Sequence, residues 1–145
     1  MNIHPLTITV SAPRDTVFNF LADIENLPRW AGSWCERLAL QRGRWWALTS
    51  EGEQVMDMET SAGTGVIDLR AGMSPERFRL MSIRVVALST RRTLVSFLVI
   101  EGPDETNDAF AQRRERLQSA ADGLVKRFGG GEVHCAPSLV ELGLN

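Results

Sequence analysis

Short runs of apolar and β-branched residues, separated by turn-forming residues, make up most of the chain up to residue 100. Runs of this length and composition are typical of β-strands. The connections after the second run are short and contain Gly, Ser or Pro, which favours hairpins and an antiparallel sheet. We predict seven strands, at residues 6–10, 35–40, 44–49, 53–59, 64–70, 77–88 and 93–100.

The segment between the first two strands has the pattern of two short helices. Pro13 suits a first helical position, because the N–H there has no intrahelical partner to lose. Val17, Phe18 and Leu21 then recur at helical spacing. A second short helix follows and ends near Trp30.

After a Gly-Pro break at residues 102–103, the pattern becomes that of one long helix, capped by Asp104 or Thr106 and running to about Phe128. About 23 residues would span roughly 34 Å, enough to cross a small sheet. The charged run at residues 113–116 is expected on the solvated side of this helix. Gly129 ends it. The side that faces the sheet carries the apolar stripe Phe110, Leu117, Ala121, Leu124 and Phe128.

These elements predict an α+β protein with the helix-grip fold: a seven-stranded antiparallel sheet, two short helices after strand 1 and one long C-terminal helix. Residues 6–128 resemble the START-like (SRPBCC) superfamily, which includes the polyketide cyclase/dehydrase and birch-pollen-allergen folds. The resemblance rests on the order of elements, on the segment NLPRWA at residues 26–31, and on weaker segments that begin at Gly65, Ile83 and Gly102. It implies one ligand-binding domain over residues 1–128, with a cavity for a small hydrophobic molecule between sheet and long helix, and a tail at residues 129–145.

The amino-acid composition limits the kinds of binding partner that we expect. Lys plus Arg total 16 and Asp plus Glu total 18, without the clustered basic excess of nucleic-acid binding proteins, so no nucleic-acid partner is expected. No run of about 18 apolar residues occurs, which predicts no integral membrane contact. The first five residues lack a signal-peptide pattern. We therefore expect a cytoplasmic protein in which Cys35 and Cys135 are reduced thiols.

This chain has few of the residues that common catalytic sites require. It contains no Tyr, and its two His residues, His4 and His134, lie near the termini. A Ser–His–Asp triad or a histidine metal site is therefore disfavoured. We expect no metal and no cofactor, and we assign no catalytic residue.

Aromatic and small residues are the first candidates to line the cavity. Trp30 and Trp34 could form its rim, although packing into the core is the alternative for each. Ala121 lies in the middle of the helical stripe, where a larger side chain would fill the space, so we expect an enclosed cavity above about 300 Å³. The remaining apolar candidates are Met58, Phe97, Leu117 and Leu124.

Asp68 and Arg84 are the polar candidates. They lie on strands expected to be neighbours, as a diagonal pair that an arginine spans across about 7–8 Å. On a concave face the pair would orient a ligand. On the outer face it would be a solvated ion pair worth under about 1 kcal/mol.

The strand at residues 94–100 is apolar on both faces, whereas a sheet with one wet face alternates. Its second face needs a cover, which is either the apolar tail or a second copy of the chain. We expect a homodimer, because three consecutive glycines make the return of the tail entropically costly.

Three functions fit this pattern. The first is binding of a small hydrophobic ligand, as a carrier or sensor. The second is a polyketide cyclase/aromatase-like enzyme, for which the available acid–base groups are Asp57, Glu59, Asp68 and Arg84. The third is a protein-interaction module that uses the groove or the outer face of the sheet.

Overall fold

The computed structural model describes residues 1–131 and 133–135, with the backbone alone at residues 134 and 135. Three α-helices are present: α1 Arg14–Ala22, α2 Leu27–Trp30 and α3 Asn107–Phe128. The strands are β1 Ile3–Val10, β2 Cys35–Gln41, β3 Arg44–Thr49, β4 Gly52–Ser61, β5 Val66–Gly72, β6 Arg79–Ser89, β7 Arg92–Ile100 and β8 Val133–Cys135.

The strands form one antiparallel sheet in the order β2-β3-β4-β5-β6-β7-β1-β8. The seven predicted strands are all found, as is the long C-terminal helix, so the predicted helix-grip α+β fold is confirmed. Strand β1 crosses to the far side of the meander and pairs with β7, for example Leu6 with Phe97. The short strand β8, which the sequence pattern did not predict, pairs with β1.

The core lies between one face of the sheet and α3. In β7 the buried residues Val95, Phe97 and Val99 alternate with partly buried ones, as the period of two in a strand requires. Helix α3 buries Phe110, Leu117, Ala120, Ala121 and Leu124 against this inner face.

The ends of α3 follow from local chemistry. The Thr106 side chain accepts a hydrogen bond from the backbone N–H of Ala109 at 3.1 Å, so the helix begins at Asn107 rather than near residue 104. At the other end Gly129 has φ of 88°, and its N–H donates to the carbonyl of Val125 at 2.9 Å.

The outer face of the sheet carries the apolar residues that we expect the tail or a second copy of the chain to bury. Leu94, Leu98 and Ile100 are partly buried there, whereas Val86 and Leu88 of β6 are 48% and 51% exposed. The tail beyond residue 135 lies outside the described residues, and the homodimer stays a prediction. Residues 133–135 extend the edge of the sheet.

The turn between β4 and β5 depends on one glycine. Gly65 has φ of 72°, and its carbonyl accepts the N–H of Val85 at 2.9 Å. A Cβ at residue 65 would overlap the carbonyl oxygen of Val85, whereas a Cβ at Gly63 would meet open space. We expect Gly65→Ala to lower the free energy of unfolding by at least about 2 kcal/mol, and Gly63→Ala to change it by less than about 0.5 kcal/mol. Urea denaturation measures both, and equal effects would contradict this account of the turn.

His4 makes the stability of the fold sensitive to mild acid. Burial, and then the charge of Arg114 on α3, lower the pKa of His4 from its ordinary 6.5. The unfolded chain therefore binds a proton more readily than the folded one, so the free energy of unfolding falls as the pH drops below 6.5. We expect His4→Gln to remove this part of the decline in a series of urea titrations at falling pH. An unchanged pH dependence in the variant would show that His4 is not its source.

Candidate ligand-binding pocket

A pocket lies between the inner face of the sheet and α3, and α2 with the turn after it forms the remaining wall. Its volume is about 90 Å³, and it is partly open to solvent. This is smaller than the enclosed chamber of more than about 300 Å³ that the sequence led us to expect. Most of its wall is apolar, formed by Leu27, Trp30, Ala31, Trp34, Leu69, Ala71, Met81, Val99, Leu117 and Ala120.

Trp30 is the best-buried aromatic residue of this wall, with 5% of its surface exposed. The short helix α2 positions it, and Pro28 lies in the first turn of that helix. The Trp30 ring packs against Phe97 with a centroid separation of 6.3 Å. Its indole N–H is buried and has no hydrogen-bond partner among the residues that the structure describes. A buried donor without a partner is uncommon in folded proteins.

One end of the pocket is polar. Arg79 reaches it from the start of β6, Arg113 and Arg116 from α3, and Glu51 and Gln54 from the β3–β4 hairpin. A second cavity of about 80 Å³ lies beyond and shares Glu51, Gln54 and Arg79 with the first. These three side chains therefore separate the apolar pocket from a polar one.

Glu105 does not line the pocket but contacts two of the arginines at its polar end. Its side chain is fully buried, and Oε1 accepts hydrogen bonds from Arg113 Nη1 at 2.8 Å and from the N–H of Gly102 at 2.9 Å. Arg79 Nη1 lies 3.5 Å from the second carboxylate oxygen. Arg113 also donates to the carbonyl of Ile100 at 3.0 Å. Burial lowers the pKa of Arg113, while Glu105 acts in the opposite direction.

The structure separates the candidate residues into three groups. Trp30, Trp34 and Leu117 line the pocket. Phe97 supports Trp30 from the sheet. Ala121, Leu124 and Met58 pack in or against the core without lining the pocket, and Ala120 occupies the wall position that we expected for Ala121.

Asp68 and Arg84 form the predicted pair, with Arg84 Nη1 3.0 Å from Asp68 Oδ1. Ser82 donates to the same oxygen at 3.0 Å. Partial burial raises the pKa of Asp68, but these hydrogen bonds outweigh it, so the pKa is lowered overall. The pair lies on the outer face, because Ile67 and Leu69 on either side of Asp68 point into the core. It therefore does not line the pocket.

Sequence reasoning missed the arginines of the pocket, because it placed residues 113–116 on the solvated side of the helix. Arg113 and Arg116 instead face the pocket. The apolar stripe contained the signal: Phe110 and Leu117 are two helical turns apart, so the residue three positions after Phe110 shares their side of the helix.

Other kinds of site find no support in the described part of the chain. Among the side chains that the structure describes, those of residues 1–131 and 133, no three His, Cys, Asp or Glu are grouped so that they could hold a metal ion. Cys35 is free and buried, and burial raises the pKa of its thiol to about 11. It is therefore not a thiolate nucleophile at neutral pH. None of the helices in these residues is long and apolar enough to cross a membrane.

No protein-family model matches the chain, and no curated protein matches it. Solved structures do share its fold. XoxI from Bacillus cereus has a TM-score of 0.73 at 14% identity, over 88% of this chain and 96% of that one. A START superfamily protein from Mycobacterium smegmatis has a TM-score of 0.64 at 18% identity, over 86% of this chain and 97% of that one. The di-domain ARO/CYC BexL from the BE-7585A biosynthetic pathway has a TM-score of 0.59 at 18% identity, over 87% of this chain and 48% of that one. The chain therefore has the START-like fold, which the resemblance of its sequence implied.

Two arginine–carboxylate pairs have similar N···O distances but differ in burial. They allow a matched test of whether Glu105 stabilises the polar end of the pocket. Arg113 and Glu105 have side chains 16% and 0% exposed, whereas Arg84 and Asp68 are 44% and 20% exposed. We expect Arg113→Ala to lower the free energy of unfolding by about 3–5 kcal/mol, because it leaves the buried Glu105 without its main partner. Arg84→Ala should cost under about 1 kcal/mol. Urea denaturation measures both, and a loss at Arg113 as small as that at Arg84 would contradict the anchoring role of Glu105.

Proposed function

We propose that residues 1–128 form a ligand-binding domain that takes one small, largely apolar molecule into the pocket between the sheet and α3, as a carrier or sensor. The observation that carries this proposal is the pocket itself. Apolar side chains make up most of its wall, and charged and polar side chains gather at one end. Small-molecule sites typically have a mostly apolar wall with a small number of oriented polar groups.

The size of the pocket limits the ligand. An engineered cavity of roughly 150 Å³ lined by apolar side chains binds benzene. This pocket is smaller, at about 90 Å³, but it is partly open to solvent, so a single ring or a short branched chain fits with the rest of the molecule at the mouth.

Binding fits these groups better than polyketide cyclisation, the reaction class to which the ARO/CYC likeness would point. An extended reactive chain needs more room than the pocket offers. The buried carboxylate nearest to it, Glu105, is held by Arg113, Arg79 and the N–H of Gly102. Glu105 does not line the pocket, whereas a general base must lie within hydrogen-bond reach of the reacting group.

Ala120 provides the test, because it lines the pocket and is 6% exposed. We expect single-ring probes such as benzyl alcohol to shift the indole N–H signals of Trp30 and Trp34 in a ¹⁵N NMR titration. Ala120→Leu should abolish these shifts while the protein stays folded, because the added side chain fills the cavity. The matched control is Ser119→Leu, one residue earlier on the exposed side of α3, which should bind as the unaltered protein does.

Two results would contradict the proposal. The first is the absence of indole shifts with every single-ring probe at concentrations up to the solubility limit. The second is an unchanged titration in a folded Ala120→Leu variant, which would place the probe elsewhere on the molecule.

A further inference from the structure

The polar end of the pocket carries more positive than negative charge. Three arginines, Arg79, Arg113 and Arg116, meet two carboxylates, Glu51 and Glu105. One positive charge therefore remains uncompensated beside an apolar cavity, in a chain whose formal net charge is −2. A cation next to an apolar wall interacts more strongly with an anion than it would in water, because little solvent screens it there.

The three arginines differ in how fully their donors are used. Arg113 bonds the buried Glu105 and the carbonyl of Ile100. Arg116 donates through Nη2 to Ser50 at 2.8 Å, but its Nη1 lies 3.8 Å from Glu51. Arg79 Nη1 lies 4.0 Å from the other oxygen of Glu51. Both distances to Glu51 exceed hydrogen-bond length, so Arg79 and Arg116 face this carboxylate without bonding it.

Glu51 is held by its backbone rather than by its side chain. Its N–H donates to Thr49 Oγ1 at 3.1 Å, and Thr49 in turn donates to the carbonyl of Gly52 at 2.7 Å. The side chain of Glu51 is 36% exposed at the pocket wall, so solvent can hydrate it. Its carboxylate can therefore leave the two arginines for water at little cost, while the turn that carries it stays in place.

The stem of Arg79 has a fixed place. A Cβ at Gly102 would lie 2.5 Å from Arg79 Cγ, so the absence of a side chain at residue 102 makes room for the arginine. The guanidinium then reaches both Glu105 and the pocket. An arginine held in this way is ready to bind a planar anion, since its donors need little rearrangement.

We propose that the ligand of this pocket is the monoanion of a small apolar carboxylic acid. Its apolar part lies in the cavity, and its carboxylate binds Arg79 and Arg116 in place of Glu51. Glu51 thus occupies the anion position in the free protein and turns to solvent when the acid binds. This inference rests on the proposed ligand-binding function and names the chemical class of its ligand. The monoanion takes the position that Glu51 leaves, so three arginines still meet two carboxylates there, and the planar fork of arginine matches a carboxylate.

The experiment compares two probes of nearly equal shape, phenylacetate and phenylacetamide, in ¹⁵N NMR titrations at pH 7. We expect the acid to bind at least about tenfold more tightly than the amide, which corresponds to one charge-assisted hydrogen bond. Arg116→Gln should remove most of this preference, measured within the variant as the ratio of the amide to the acid dissociation constant. Glu51→Gln should raise the same ratio severalfold, because it removes the carboxylate that competes with the acid.

The outcomes separate the two proposals. If neither these two probes nor the single-ring probes named above bind, the ligand-binding function itself fails. If both bind and the amide binds as tightly as the acid, the function stands and the anionic ligand is wrong. A folded Glu51→Gln variant that binds the acid no more tightly would overturn the competing role of Glu51. This variant changes a partly exposed turn residue, so the test does not depend on the fold tolerating a change at Arg116.

Discussion

The fully buried carboxylate of Glu105 is the interaction on which the polar end of the pocket depends. It lies in the turn before α3 and connects three parts of the fold: the end of β7 through Gly102, the start of β6 through Arg79, and α3 through Arg113. An unpaired charge in this position would be strongly unfavourable, so the folded protein keeps Arg113 and Arg79 beside Glu105. The ion pair thereby holds the start of α3 next to the ends of β6 and β7.

The pocket is the space left where the helix and the sheet do not touch. Near Ala121 and Leu124 the helix packs closely on the inner face, and these side chains do not line the pocket. Arg113 and Arg116, about two turns and about one turn before Ala121, and the adjacent Ala120 border a gap that Trp30 lines from α2. The two arginines reach its polar end, and the sheet and α2 supply most of the apolar wall. An apolar region beside a charged one is therefore a consequence of how α3 crosses the sheet.

The sequence was sufficient for the fold because the signals for strands, turns and caps are local. Turn residues separate the strands, and Thr106 and Gly129 mark the ends of α3. The site was harder to predict, since it depends on how the helix is rotated against the sheet. Neighbouring residues on a helix differ by about 100° in direction, so Ala121 was chosen where Ala120 lines the pocket. Arg113 requires knowledge of its buried partner Glu105. The outward direction of Asp68 could have been predicted, because the flanking Ile67 and Leu69 are the apolar positions of that strand.

The central claim is that the space under α3 is a binding site for a small apolar molecule. A crystal of the protein soaked with 4-bromobenzyl alcohol tests this directly, because anomalous scattering locates the bromine without reference to any other assumption. The account predicts a bromine peak between Trp30, Leu69 and Leu117, with the hydroxyl directed towards the arginines. A fully soaked crystal with no peak in this pocket, or with a peak only on the outer face beside Val86 and Leu88, would contradict it.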